Sequence, residues 1–433
     1  MSSKEKSIFR NTNFLLLFTG GLVSRIGNAV HYVGLTWFVL ELTGSGAATG
    51  IILFLSTIPG VIVSPFGGVV ADRVSRKLLI VGMDLIRGIA VIFLSWAIYT
   101  DVVTFIHLAV ITVILAVCGS FFNPAVSATI PNIVLDRNLQ KANSIEHFSQ
   151  NFSQVIGFAL GGILIAIFGV AGVFLLNGIS FIISAISELF INIPPVEKTL
   201  IKHKTSFFSD FKFGVKYLFK HKTILSLFNT ALFLNFITSG IMAVGIPYVF
   251  KEVIAVGSKL FGFAQAVTPA GAFIGAIVMN FLPEIKKYYK VFIINITILA
   301  LLLLGFSFTI MPSVFKAYGV NNVYLTLLVI LATLGIINAI INIPIMVLLQ
   351  RIIPDEIRGR IFGLIMSLSQ GLVPISMAIT GYLFDLIAAY LLFAYTGGFT
   401  LVVAFVMTRV KALRNLNKKA EDNIMTDDVD YSM

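Results

Sequence analysis

The chain has 433 residues, 58% hydrophobic and only 12% charged, and its mean hydropathy of +0.97 lies outside the range of soluble domains, so composition alone points to a polytopic membrane protein. A formal net charge of +11 does not indicate a nucleic-acid partner, because Lys and Arg fall in short groups between apolar runs and not along one face of a domain. The single cysteine, Cys118, excludes an intrachain disulfide framework and an all-cysteine metal site and reads as a packing residue inside an apolar run.

A helix needs about 20 apolar residues to cross the hydrocarbon core. Six runs of that kind extend from Asn13 to Leu40, Ala48 to Val69, Leu78 to Tyr99, Phe105 to Ile130, Asn143 to Phe168 and Val170 to Ile193. The first is too long for a signal h-region and is expected to be retained as a helix. A polar stretch follows, then six more runs, from Thr223 to Phe250, Ser258 to Leu282, Val291 to Met311, Val323 to Gln350, Ile361 to Leu383 and Ala388 to Val410. The expected organisation is an N-terminal six-helix bundle over 1–193, a cytoplasmic linker over 194–222, a C-terminal six-helix bundle over 223–410 and a disordered tail over 411–433.

With the amino terminus inside, 26 of the 31 basic residues fall in cytoplasmic segments, as the positive-inside rule requires. Both termini are therefore expected in the cytoplasm, on the inner side of the cell membrane. In the linker, Phe207, Phe208, Phe211, Val215, Leu218 and Phe219 recur at helical spacing among lysines. This reads either as an amphipathic helix on the inner leaflet or as a solvated tether. An internal echo supports duplication: Ile130-Pro131 precedes Ser153-Gln154-Val155-Ile156-Gly157-Phe158, and Ile353-Pro354 precedes Ser369-Gln370-Gly371-Leu372-Val373-Pro374.

Between the second and third runs lies Gly67-Gly68-Val69-Val70-Ala71-Asp72-Arg73-Val74-Ser75-Arg76-Lys77. Physically, Gly67 and Gly68 permit close helix approach, Asp72 suits a helix amino terminus and Arg76 suits a carboxylate partner. The stretch resembles the Gly-x-x-x-Asp-Arg-x-Gly-Arg-Lys motif of the major facilitator superfamily, with Ser75 in place of the second glycine. Leu42-Thr43-Gly44-Ser45, Asp84-Leu85-Ile86-Arg87 and Pro354-Asp355-Glu356-Ile357-Arg358-Gly359-Arg360 are similar to the macrolide-efflux-like branch of its drug:proton antiporters.

The resemblance implies twelve transmembrane helices in two pseudo-symmetric six-helix bundles. It also implies a conformational latch of Gly68, Asp72, Arg73, Arg76 and Lys77, in which Asp72 docks onto the eleventh helix. Anchoring of the bases to anionic lipid is the alternative. Antiporters of this superfamily carry Gly-Pro-x-x-Gly-Gly in the fifth span; here Gly157, Gly161 and Gly162 keep the packing positions and Phe158 replaces the kinking proline. Many proton-coupled exporters also carry an Arg in the fourth span, which this chain lacks.

Charge at membrane depth marks functional suspects. Arg25 lies near the middle of the first span, and Asp84 is expected to be its partner. Arg25, Glu41, Asp84 and Arg87 are the proton-coupling candidates, although Asp84 and Arg87, three residues apart on one face, serve equally as a brace. Glu146 and Glu188 read as interfacial. In this superfamily the first, fourth, seventh and tenth helices line the cavity, which implies a lining of Asn28, His31, Trp37, Asn123, Asn229, Asn235, Asn338 and Asn342; His31 also reads as a packing residue. Uncharged polar handles among 39 Phe suit a lipophilic or amphipathic substrate.

The expected function is proton-coupled export of macrolide-like or other lipophilic molecules by a monomer whose partners are its small-molecule substrate, protons and membrane lipids. The alternatives are export of one endogenous lipid-like or siderophore-like metabolite, and a non-transport receptor. No Gly-x-x-x-x-Gly-Lys-Ser/Thr loop and no zinc-ligand pair on a helix occur, so no cofactor, metal, direct use of ATP or enzymatic activity is expected.

Overall fold

The computed structural model describes residues 8–193, 207–283, 285 and 287–410, apart from the side chains of Pro65, Asp72, Phe207 to Phe211, Asp355 and Glu356. The helices are α1 Thr12–Thr43, α2 Gly46–Arg73, α3 Arg76–Tyr99, α4 Phe105–Ile133, α5 Leu139–Leu189, α6 Phe207–Lys220, α7 Lys222–Gly240, α8 Ser258–Phe281, α9 Tyr288–Thr309, α10 Pro312–Ile352, α11 Asp355–Leu386 and α12 Ala389–Arg409. Among the described residues, eleven helical segments are long and apolar enough to cross a membrane. One of them, α5, is two crossings joined at Gly169, whose φ of 67° breaks the helix, so the expected twelve crossings are present. The linker over 194–206 and the tail over 411–433 lie outside the described residues.

Local chemistry explains the helix limits. The Asn11 side chain accepts from the Phe14 amide at 3.1 Å to start α1, and Gly44 ends it in the left-handed conformation, φ 60°. Ser45 caps α2 through the Ala48 amide at 3.1 Å. Ser75, the departure from the motif glycine, caps α3: its side chain accepts from the Leu78 amide. A serine therefore does useful work at that position without a glycine's conformational freedom.

The described residues fall into two compact units, one within 1–200 and 246–266, the other within 201–245 and 267–433. Lipid tails are as apolar as leucine, so helices in a bilayer associate through close packing and interhelical hydrogen bonds more than through water exclusion. In the first unit α1 packs along α5 at small residues. A Cβ on Gly161 would stand 2.9 Å from Val33 Cβ, one on Gly157 would collide with Ala29, and one on Gly162 would stand 2.7 Å from Gly262 Cα of α8. Ser187 Oγ donates to Leu16 O at 2.9 Å across the same seam.

The second unit closes at one end on a cluster joining Leu218 of α6 with Phe228, Phe292, Leu348, Ile361 and Met407. Its α7 is irregular. Ser376 Oγ of α11 accepts from the Gly240 amide at 3.0 Å and donates to Phe236 O, inserting between the two groups that would otherwise form one helical hydrogen bond. An inserted side chain of this kind is a recognised cause of helix distortion. Beyond it the chain continues as a π-helical turn over Ile241–Gly245; a second such turn, Val249–Val253, belongs to the first unit.

Candidate functional site

The charged residues at membrane depth in the first unit gather around one cavity of about 470 Å³. Its lining includes Arg25 and Asn28 from α1, Arg87 from α3, Phe122 and Asn123 from α4, and Glu146, Gln150 and Glu188 from α5. Thus Arg25, Arg87, Asn28 and Asn123 are brought together as cavity groups, and Asn28 and Asn123 are exposed to it.

Arg25 is not answered by Asp84, and this corrects the sequence expectation. Its guanidinium forms a two-pronged pair with Glu146, Nη2 to Oε2 at 3.0 Å, and its Nε donates to Gly21 O at 3.0 Å. The cause is the α1–α5 packing, which sets the first crossing of α5 opposite the polar face of α1. The paired side chains are 21% and 18% exposed, so the bridge borders the cavity and remains within reach of water.

Asp84 instead pairs with Arg87, Nη1 to Oδ1 at 3.1 Å, one helical turn away on α3. Asp84 is 0% exposed and Arg87 6%. The Arg87 guanidinium also lies 4.7 Å from the Phe122 ring centroid and 5.5 Å from that of Phe181, a packing that favours a cation. Asp84 Oδ2 and Arg87 Nε have no hydrogen-bond partner among the described residues.

Glu188 is the second correction. The sequence reading placed it at the membrane interface, but it is 1% exposed. Oε1 accepts from Ser184 Oγ at 3.2 Å, and Oε2 has no partner among the described residues. A signal was present in the chain. Asn177, Ser180, Ser184 and Glu188 follow one another at intervals of three or four and so form one polar face of a helix, and Asn177, Ser184 and Glu188 are all nearly inaccessible. Glu146, also read as interfacial, is half-buried and holds Arg25. The cluster thus holds two guanidiniums, Arg25 and Arg87, and three carboxylates, Asp84, Glu146 and Glu188.

The remaining candidates separate. Glu41 is exposed at the far end of α1 and accepts from Trp37 Nε1 at 3.0 Å, away from the cluster. Trp37 is buried, with Phe261 edge-on at 5.1 Å and the Lys251 ammonium 3.5 Å from its ring centroid. His31 is buried against Phe174, ring centroids 4.8 Å apart. Neither Trp37 nor His31 lines the cavity, because both turn into helix contacts within the first unit. In the second unit Asn229 and Asn235 on α7 and Asn338 and Asn342 on α10 are exposed, and Asn342 Nδ2 donates to Asn338 O at 2.9 Å.

At the α2–α3 turn, Arg76 Nη1 donates to Ala128 O of α4 at 2.7 Å, Arg73 is exposed and Lys77 is half-buried. The close contact falls on Gly67, where a Cβ would collide with the Ser120 carbonyl; one on Gly68 meets nothing within 4 Å. The Asp72 side chain lies outside the description. Cys118 is buried and free. Among the described residues no group of three His, Cys, Asp or Glu has the arrangement to hold a metal ion.

A sequence profile for the Major Facilitator Superfamily matches residues 17–375. Macrolide efflux protein A of Streptococcus pyogenes is 21% identical over 406 residues, covering 94% of this chain and 98% of that protein. The staphyloferrin A transporter of Staphylococcus aureus is 24% identical over 418 residues, covering 94% and 98%. The crystal structure of a variant of the nucleoside transporter NupG superposes with a TM-score of 0.71 at 16% identity, covering 92% of this chain and 99% of the other. At that identity the likeness speaks for the fold.

Proposed function

Because this chain belongs to the Major Facilitator Superfamily and is a multi-pass membrane protein similar to transporters, we propose that it exports lipophilic or amphipathic small molecules by alternating access and drives export with protons. The observation that carries the coupling is the charge count around the cavity: with Asp84, Glu146, Glu188, Arg25 and Arg87 all ionised, the cluster bears one net negative charge. Buried charge is tolerated only when compensated, and a proton is the smallest compensating cation. A proton on the Asp84 and Glu188 side of the cluster neutralises it, and loss of that proton to the cavity changes how tightly α3 and α5 are held to α1. Two carboxylates near one guanidinium titrate as a unit, so the proton belongs to the group and not to one residue.

Export of macrolide-like compounds is supported by the kinship to a macrolide efflux protein and by a cavity that mixes Phe122 with the neutral polar groups Asn28, Asn123 and Gln150. The kinship to a staphyloferrin A transporter supports the second reading, export of one siderophore-like metabolite. The distribution of basic residues supports placement in the cell membrane with both termini cytoplasmic, and we take the working unit to be one six-plus-six chain. Asp72 and the bases beside it are assigned conformational control.

Transport by the purified protein in liposomes tests the coupling. With a macrolide as substrate, accumulation is expected to follow an imposed proton gradient and to stop when an ionophore collapses it. Glu188→Gln is expected to lose gradient-driven accumulation while retaining substrate exchange at zero gradient. Transport indifferent to the gradient overturns proton coupling, and no transport across a panel of macrolides with transport of an iron-chelating siderophore selects the second reading.

A further inference from the structure

The inner and outer faces of α6 have different chemistry. Leu218 is 3% exposed within the core cluster of the second unit, and a Cβ on Gly214 would stand 2.9 Å from Leu364 Cδ2 of α11. Val215 packs against the same cluster. The apolar face that the sequence suggests for membrane contact is therefore partly occupied by protein.

The other face presents Lys212, Phe213, Lys216, Phe219 and Lys220, all exposed, with Phe213 at 41% and Phe219 at 69%. The lysines recur every four residues, which places them along one side of the helix. The Arg360 guanidinium lies 5.9 Å from the Phe213 ring centroid. Only His221 separates α6 from α7, which enters the bilayer as the seventh crossing. That junction is tight: the His221 amide bonds to Tyr217 O and Leu218 O, each at 3.1 Å, and the His221 and Tyr217 rings stack with centroids 4.0 Å apart. The helix is thus fixed at the level where the chain meets the membrane surface.

We propose that this lysine and phenylalanine face of α6 is a docking surface for anionic phospholipid headgroups. In water, three lysines in a row repel and two large aromatic rings stay hydrated. At an anionic lipid surface the ammonium groups meet phosphates and the rings enter the boundary between headgroup and acyl chain. Because the opposite face packs on α11, lipid bound here stabilises the second unit as a whole. This inference is independent of what the protein exports and of how export is driven.

The test uses the full chain in nanodiscs of phosphatidylcholine, with and without phosphatidylglycerol, and reads the thermal midpoint of unfolding. The wild type is expected to unfold at higher temperature with phosphatidylglycerol, with the increment shrinking as salt is raised. Lys212→Gln, Lys216→Gln and Lys220→Gln combined are expected to remove most of that increment, and the same three positions changed to Arg are expected to keep it. Retention of the full increment by the Gln variant overturns the proposal, as does an equal increment from soluble glycerol phosphate added to phosphatidylcholine discs, which would make the site one for free phosphate. If the triple Gln variant is already unstable in phosphatidylcholine, Lys216→Gln alone reads the same effect as a partial loss, and an unchanged increment in it counts against the surface.

Discussion

The two compact units store their irregularity in different forms. The first buries charge: Asp84, Arg87 and Glu188 are all nearly inaccessible. In the second, the buried polar side chains among the described residues are neutral, Asn295, Ser307, Ser376, Thr380 and Thr400 among them, and its departure from ideal geometry lies in the backbone of α7, opened by Ser376. Buried charge needs a partner in a fixed place and exchanges protons. A helix opened by a hydroxyl is distorted without any charge being buried. The comparison sets buried charge in one unit against an opened backbone in the other.

The largest effect is expected on removing the buried cation of the first unit, Arg87. Arg87→Ala leaves Asp84 buried with neither a counter-charge nor its hydrogen bond, which costs about 3–5 kcal/mol in such settings and is read as a lowered unfolding midpoint in detergent. Adding Asp84→Ala should restore much of the loss; if it does not, the cost is one of packing and the contrast in buried charge loses its meaning. Next comes the seam that holds the cluster together. Gly161→Ala forces a methyl against Val33 and is expected to cost about 1–3 kcal/mol by overpacking, with transport falling because Arg25 and Glu146 are carried by the same two helices. The smallest effect is expected in the second unit. Ser376→Ala lets the Gly240 amide bond directly to Phe236 O, so stability should change by about 1 kcal/mol or less. Hydrogen exchange at Gly240 should slow as α7 regularises, and unchanged exchange there would show that the π-helical turn does not depend on the hydroxyl.

Much of the architecture was legible in the chain. The apolar runs of membrane length appear in the structure near their expected places, whereas the caps at Asn11, Ser45 and Ser75 and the break at Gly169, which also act through neighbours close in sequence, were found only in the structure. The motif turn was legible too, although its close contact belongs to Gly67 and not to Gly68. The site was half legible. Arg25, Asp84 and Arg87 stand out because charge at membrane depth is costly wherever the helix points. Glu146 does not, since its distance from a crossing's end says nothing about whether it faces lipid, water or protein, and Glu188 was legible only through the polar face it shares with Asn177, Ser180 and Ser184.

What the sequence determined by itself was the class, the number of crossings and the charged residues that must find partners, because hydropathy, helix capping and desolvation act locally. Which partner each charge found was decided by tertiary structure. The rotation of each helix about its own axis and the small residues that let α1 meet α5 gave Arg25 to Glu146, 121 positions away, and left Asp84 to Arg87, three positions away on its own helix.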